Sequence, residues 1–154
     1  MDTKEKIGYW SVYLFCFLLI LGYAFFIYTF INKSISEKYI EVESDKYKDS
    51  PVIVSLANNC SSEVSNLMKV YCVNSFIYSQ YKYVKSNDLN PENIYTIGGD
   101  CKMYASFYRL VFNKLNISNR IVSTTKHAFT IVYADDWYCN AEQKVISCQG
   151  LEVN

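Results

Sequence analysis

The feature that most constrains this chain is an uncharged run near its N-terminal end. Positions 8–31 (GYWSVYLFCFLLILGYAFFIYTFI) hold no charged side chain over 24 residues. A helix rises about 1.5 Å per residue and a bilayer core is about 30 Å thick, so this run is long enough to span a membrane. Tyr9 and Trp10 lie near one end, and Tyr23 and Tyr28 near the other, where interfacial aromatic residues belong. We therefore predict a single-pass transmembrane helix over 8–31, with the lipid bilayer as its partner.

The alternatives for this run are a buried core helix and a cleaved signal peptide. A core helix this apolar is unusual in a small domain, and a signal peptide has a shorter apolar centre and a small-residue cleavage site. The remainder divides into a short tail over 1–7, a polar linker over 32–51 and one domain over 52–154, which is enough chain for a single core.

The charge balance argues against nucleic acid as a partner. Lysine plus arginine and aspartate plus glutamate each number 15, so the formal net charge is zero. Domains that bind nucleic acid normally carry a basic excess, which this chain lacks. We predict no nucleic-acid partner.

The cysteines favour an extracytoplasmic domain. Once Cys101 is set aside as a candidate nucleophile, the others outside the apolar run form two close pairs, Cys60/Cys72 and Cys139/Cys148, which suit two disulfides in an oxidising compartment. Two glycosylation patterns, 59–61 (Asn-Cys-Ser) and 116–118 (Asn-Ile-Ser), point the same way. The lysines flanking the apolar run lean slightly toward a cytoplasmic domain. We give the cysteine pairs and the glycosylation patterns more weight than the lysines, and we predict that the domain is extracytoplasmic.

The periodicity of the domain predicts an α+β fold. Residues 61–86 have the apolar spacing of a helix, with Ser61 or Ser62 as its N-cap, and 87–91 (NDLNP) ends it. A second helix begins at or near Cys101, and its apolar residues form one stripe: Tyr104, Phe107, Tyr108, Val111, Phe112 and Leu115. Alternation then predicts strands over 120–125, 127–133 and 137–139, with Asp135 and Asp136 in the last turn. The predicted architecture is a transmembrane helix followed by a small helix–helix–antiparallel sheet domain.

Cys101 is the candidate nucleophile of this domain. A thiol reacts as its thiolate, which is favoured at a helix N-terminus and beside an imidazole. Gly98 and Gly99 allow close backbone approach, and Asp100 is a good N-cap, although its carboxylate disfavours a nearby thiolate. The same helix amides suit a developing oxyanion.

His127, the single histidine, is the candidate base. Alternation puts Phe129 and Ile131 on its face of the strand, which we expect to face the helices. An Asn or Asp normally orients such an imidazole; Asn140 is the candidate, with Glu142 in reserve.

The order of these residues resembles the transglutaminase-like superfamily, which has a papain-like cysteine hydrolase fold. The resemblance covers about 61–145 and lies in 98–101 (GGDC), in 126–129 (KHAF) and in Trp137. It implies Cys101 as nucleophile and His127 as general base and later acid. Two positions depart from the family: Phe129 stands where tryptophan is commoner, and Ala141 stands where the third catalytic residue usually does, one position past Asn140.

Two functions from different classes follow. The first is a membrane-anchored thiol hydrolase or acyl transferase that acts on peptide or side-chain amides through a Cys101 thioester. The alternative is a non-catalytic, membrane-tethered binding or structural module that retains the fold. The cysteine spacings lack the short C-x₂₋₄-C steps of zinc sites, and no phosphate-binding glycine loop is present, so we predict neither a metal nor a cofactor.

Overall fold

The computed structural model describes residues 3–86, 88–124 and 126–151, with side chains from residue 13 onward. This part of the chain forms five helices: α1 (Thr3–Asp45), α2 (Pro51–Ser61), α3 (Asn66–Gln80), α4 (Asn93–Thr96) and α5 (Cys101–Lys114). Four strands follow: β1 (Ser118–Ser123), β2 (Ala128–Ala134), β3 (Trp137–Glu142) and β4 (Val145–Gly150). The prediction of an α+β chain with a long apolar N-terminal helix and an antiparallel sheet is confirmed.

The chain separates into two compact units, 1–35 and 36–154. In the first unit, α1 contains the predicted apolar run, and every side chain that the structure describes there is exposed. From Tyr13 onward, α1 is the one described helix that is long and apolar enough to cross a membrane. The side chains of the predicted tail, 1–7, and of the start of the predicted span, 8–12, lie outside those that the structure describes.

The second unit begins within α1. The sequence predicts a polar linker over 32–51, but the helix continues to Asp45, and Ile40 and Ser44 are completely buried. The hydroxyls of Ser36 and Ser123 share a 2.9 Å hydrogen bond, which ties this end of α1 to β1. Residues 36–45 are therefore part of the folded domain, because buried side chains and buried hydrogen bonds offset the polar composition of the segment.

The predicted helix over 61–86 is the last residue of α2, a short loop, helix α3 and an extended segment. Ser65 is the N-cap of α3, since its hydroxyl accepts a hydrogen bond from the amide of Met68 at 3.2 Å; neither Ser61 nor Ser62 has this role. Beyond Gln80 the chain is extended, and Tyr83 forms a parallel β-bridge with Gly99. The amide of Gly99 donates to the carbonyl of Lys82 at 3.0 Å. Tertiary pairing outweighs the helical periodicity there. Asn87, in the predicted helix stop, lies outside the described residues.

The four strands form one antiparallel sheet in the order β1-β2-β3-β4. Thr130 of β2 is opposite Ile121 of β1 and Ala141 of β3, and Asp135, with a positive φ of 53°, makes the β2–β3 turn as predicted. The sequence prediction omitted β4, which pairs with β3 along its length. The predicted end of the first strand, Thr125, lies outside the described residues.

Helix α5 packs on one face of the sheet. The hydroxyl of Thr130 donates to the carbonyl of Ala105 at 2.7 Å, and both groups are buried. Six large side chains of α5 form the centre of the main core with α2, α3 and the sheet: Tyr104, Phe107, Tyr108, Leu110, Val111 and Phe112. The apolar stripe of α5 predicted from sequence is confirmed by this packing.

Both predicted cysteine pairs are disulfides. Cys60 of α2 is bonded to Cys72 of α3. Cys139 of β3 is bonded to Cys148, the residue directly opposite it on β4. Each bond therefore joins two neighbouring elements of the second unit. Cys101 stays a free thiol.

Candidate active site

Cys101 is the first residue of α5, as the sequence predicts. Gly98 has a φ of +93°, a conformation that L side chains rarely adopt, and a Cβ there would lie 2.3 Å from the carbonyl oxygen of Lys82. Only glycine therefore lets the chain between α4 and α5 pass so close to the extended segment at 82–84. This close approach comes directly before the N-terminal end of α5.

Asp100 is the N-cap of α5. Its Oδ1 atom accepts hydrogen bonds from the amides of Lys102 at 3.0 Å and Met103 at 3.1 Å. The carboxylate therefore occupies two of the first three amides of the helix, and among these three the amide of Cys101 is the one left for an oxyanion. The sequence predicts several helix amides for an oxyanion, whereas the structure leaves one of these three as a donor.

The thiol of Cys101 lies in a small apolar cluster. Residue Cys101 is 8% exposed, and the cluster comprises Ile40, Leu89, Cys101, Ala105, Ile121 and Ala128. Ile40 comes from the domain end of α1, and Leu89 comes from the loop before α4. The residue that carries the thiol is therefore almost enclosed by apolar neighbours.

His127 lies one residue before β2. Its amide donates to the hydroxyl of Thr124 at 3.0 Å, and its carbonyl accepts from the amide of Thr124 at 2.7 Å. Its ring stacks beside Phe129 at 6.2 Å between centroids, and its Nε2 atom is 2.6 Å from Oε1 of Glu142. Thr124 therefore holds the backbone of His127 in place, while Phe129 and Glu142 lie against its ring.

The contact between His127 and Glu142 is a close polar approach that lies outside hydrogen-bond geometry. Although Nε2 and Oε1 are 2.6 Å apart, Nε2 is buried without a hydrogen-bond partner in the described part of the chain, because the oxygen lies off the N–H direction. A small rotation of the ring would align the two groups. The Nδ1 atom would then be the ring nitrogen that is available to accept a proton from a thiol.

The strand places the imidazole on a different face from the one expected. Ala128 packs with Cys101, and Thr130 bonds to α5, so these side chains of β2 face the helices. Phe129 and Ile131 alternate with them and face the other way, contrary to the expectation from sequence. The ring of His127 lies with Phe129 and Glu142, whereas its chain neighbour Ala128 touches the cluster around Cys101.

Asn140, the predicted third residue, lies on β3 two positions before Glu142, on the same face of the strand. Its Oδ1 atom is buried and has no hydrogen-bond partner among the described residues. The structure therefore brings the imidazole to the reserve residue, Glu142, and among the described residues it shows no hydrogen bond between His127 and Asn140.

Sequence reasoning missed the residues that cover the thiol. The sequence predicts a polar linker around Ile40 and a helix-ending turn around Leu89. A single apolar residue in either segment gives no periodic signal. Among the residues that the structure describes, no group of three or more His, Cys, Asp or Glu side chains is placed to hold a metal ion.

Comparisons with protein-family models, with curated proteins and with solved structures gave no match for this chain. The arrangement of these residues is therefore the basis for a proposed function.

Proposed function

We propose that this chain is a membrane-anchored thiol hydrolase or acyl transferase of transglutaminase-like type that acts on peptide or side-chain amides. The observation that carries the proposal is the state of the cysteines. In the described second unit, four cysteines are bonded in two disulfides, and Cys101 is the free thiol, placed at the first position of α5. A thiol kept reduced at a helix start suits a nucleophile.

The reaction begins when the Cys101 thiol gives its proton to His127 and the sulfur attacks the amide carbonyl. The carbon–nitrogen bond then breaks, the leaving amine takes the proton from His127, and the acyl group stays on sulfur as a thioester. Water, losing a proton to His127, attacks the thioester to give the acid and the free thiol. An amine in place of water gives a new amide. The amide of Cys101 donates to the oxyanion in both halves.

In this proposal the imidazole of His127 moves toward the thiol from the face of the sheet that it shares with Phe129 and Glu142. Its chain neighbour Ala128 packs in the same cluster as Cys101, so the backbone of His127 is already at the correct end of the sheet. His127 precedes β2, where the strict alternation of the sheet begins, and catalytic hydrogen bonds often tighten only when substrate is bound. Glu142, on neighbouring β3, is the group that orients the imidazole in this proposal.

The proposed location is a membrane, with the domain on the extracytoplasmic side. The length and apolar composition of α1 support the anchor. Two disulfides support an oxidising compartment, because such bonds are rare in the cytosol.

The test is the reaction of the full chain in detergent with a charged, water-soluble thiol electrophile. A Cys16→Ser background removes the other free cysteine, and a Cys101→Ser variant is the blank. We expect Cys101 to react faster than an unstructured thiol, and His127→Ala to slow it toward that value. Equal rates in the presence and absence of the imidazole would contradict the enzyme.

A second function is favoured by the burial of the thiol. Cys101 packs in a buried cluster with Ile40 and Leu89, and Asp100 occupies two of the helix amides that would stabilise a thiolate. These features suit a non-catalytic module in which Cys101 is a core residue. In that case Cys101→Ala keeps both the fold and the biological role of the chain, whereas loss of that role in a folded Cys101→Ala protein supports the enzyme.

A further inference from the structure

Asn116 ends α5 in a left-handed turn. Its φ is 56°; its amide donates to the carbonyl of Asn113 at 3.1 Å, and the amide of Ile117 donates to the carbonyl of Phe112 at 2.9 Å. These two bonds form a Schellman motif with Asn116 at the position that favours glycine or asparagine. The side chain of Asn116 is exposed. Its carboxamide is therefore open to solvent at the end of a fixed turn.

The residue two positions later completes a glycosylation pattern. Ser118 begins β1 and is also exposed, whereas Ile117 between them is buried in the main core. The pattern Asn116-Ile117-Ser118 thus presents both its reacting amide and its hydroxyl on the outside of the domain. The two disulfides suit the compartment in which such modification takes place.

We propose that Asn116 is the acceptor of an N-linked glycan. The amide nitrogen forms a bond to the anomeric carbon of a lipid-linked oligosaccharide, the bond from that carbon to the lipid phosphate breaks, and the nitrogen loses a proton. The proposal rests on the extracytoplasmic placement of the domain and is independent of any chemistry at Cys101.

The second pattern, Asn59-Cys60-Ser61, provides an internal contrast. All three residues lie in α2, and Cys60 is completely buried and bonded to Cys72. Asn59 thus lies inside a helix that is joined to α3 by a disulfide, whereas Asn116 lies in the turn that follows a helix. We expect Asn59 to be unmodified.

The residue type at 116 has a structural explanation as well, because asparagine tolerates a positive φ better than most residues. A substitution of Asn116 would therefore change both the turn and the acceptor. Ser118 separates the two effects, since Ser118→Ala removes the pattern and leaves Asn116 in place, while Ser118→Thr retains the pattern. Ser61→Ala is the corresponding change in the second pattern.

The experiment uses the full chain, synthesised into microsomal membranes that contain an oligosaccharyltransferase. The intact mass is measured before and after treatment with a glycosidase that releases asparagine-linked glycans, and the disulfides are assayed in the same samples. We expect the mass of one glycan on the unaltered chain, on Ser118→Thr and on Ser61→Ala, and none on Ser118→Ala.

Three results would overturn the proposal. They are a glycan that is lost with Ser61→Ala and kept with Ser118→Ala, a chain with intact disulfides and no glycan, and a chain with neither. The third would also place the domain in the cytoplasm. Since none of these assays involves Cys101 or His127, failure here leaves the proposed enzyme to its own test.

Discussion

Ile40 of α1 and Cys101 of α5 pack in one buried cluster, with Ile40 completely buried and Cys101 8% exposed. The segment of α1 that contains Ile40 is fixed at two further points. The guanidinium of Arg109 lies 2.6 Å from a carboxylate oxygen of Asp45, and the amide of Ser123 donates to Glu37 at 2.9 Å. Access to the sulfur thus depends on local opening of this segment.

We expect Ile40→Ala to raise the alkylation rate of Cys101 about tenfold. Truncation of a buried isoleucine removes about 2–5 kcal/mol of packing, and about 1.4 kcal/mol of it acting on local opening gives a tenfold change. The rate is measured with a charged electrophile in the Cys16→Ser background. Ile77→Ala is the matched control, because Ile77 is equally buried but lies in the main core. If both variants label at the same rate, the effect is general destabilisation rather than a cover.

The contact between His127 and Glu142 leads to a second prediction. Their side chains are 29% and 48% exposed, and polar side-chain contacts of such exposure contribute no more than about 1 kcal/mol. We therefore expect Glu142→Gln to slow alkylation of Cys101 by about fivefold at most, with Asn140→Ala close to the unaltered chain. The reverse order of the two variants would return the orienting role to Asn140, whose Oδ1 atom is buried and unpaired among the described residues.

Gly98 provides a prediction about stability. Gly98→Ala places a methyl group 2.3 Å from the carbonyl oxygen of Lys82 at a φ of +93°, so we expect a loss of at least about 2 kcal/mol in the free energy of unfolding. Gly99→Ala should cost less, because its new methyl group meets the flexible side chain of Met103. Gly150→Ala, in open space, is the control. Denaturant unfolding of the three variants gives the order, and an unchanged Gly98→Ala would mean that this turn is not as described.

Local sequence signals predicted the elements whose causes are local. The apolar stripe of α5, its Asp100 N-cap and the Asp135 turn are each set by residues within a few positions, and both disulfides join nearby cysteines. The parts that sequence did not predict depend on distant partners. The cover by Ile40, the extended segment paired with Gly99 and the face occupied by His127 are decided by packing between elements far apart in the chain.

The last prediction concerns alkaline pH and the buried tyrosines. Burial raises the pKa of Tyr108, and its hydroxyl donates to the carbonyl of Gln143 at 2.8 Å. Burial likewise raises the pKa values of Tyr95 and Tyr104. Since the unfolded chain releases these protons near pH 10, the folded state binds more protons above that pH, and the stability contribution present below it is lost as pH rises.

We therefore expect the free energy of unfolding to fall above about pH 10, and Tyr108→Phe to reduce that slope by up to about 1.4 kcal/mol per pH unit. The same variant should lose about 1 kcal/mol at neutral pH, because the carbonyl of Gln143 loses its donor. Tyr78→Phe, at an exposed position of α3, is the control and should keep the slope of the unaltered chain. Denaturant unfolding at a series of pH values measures both quantities. Equal slopes in all three proteins would mean that Tyr108 loses its proton as readily in the folded domain as in the unfolded chain, and hence that its hydroxyl is not enclosed by α5 and the β3–β4 turn.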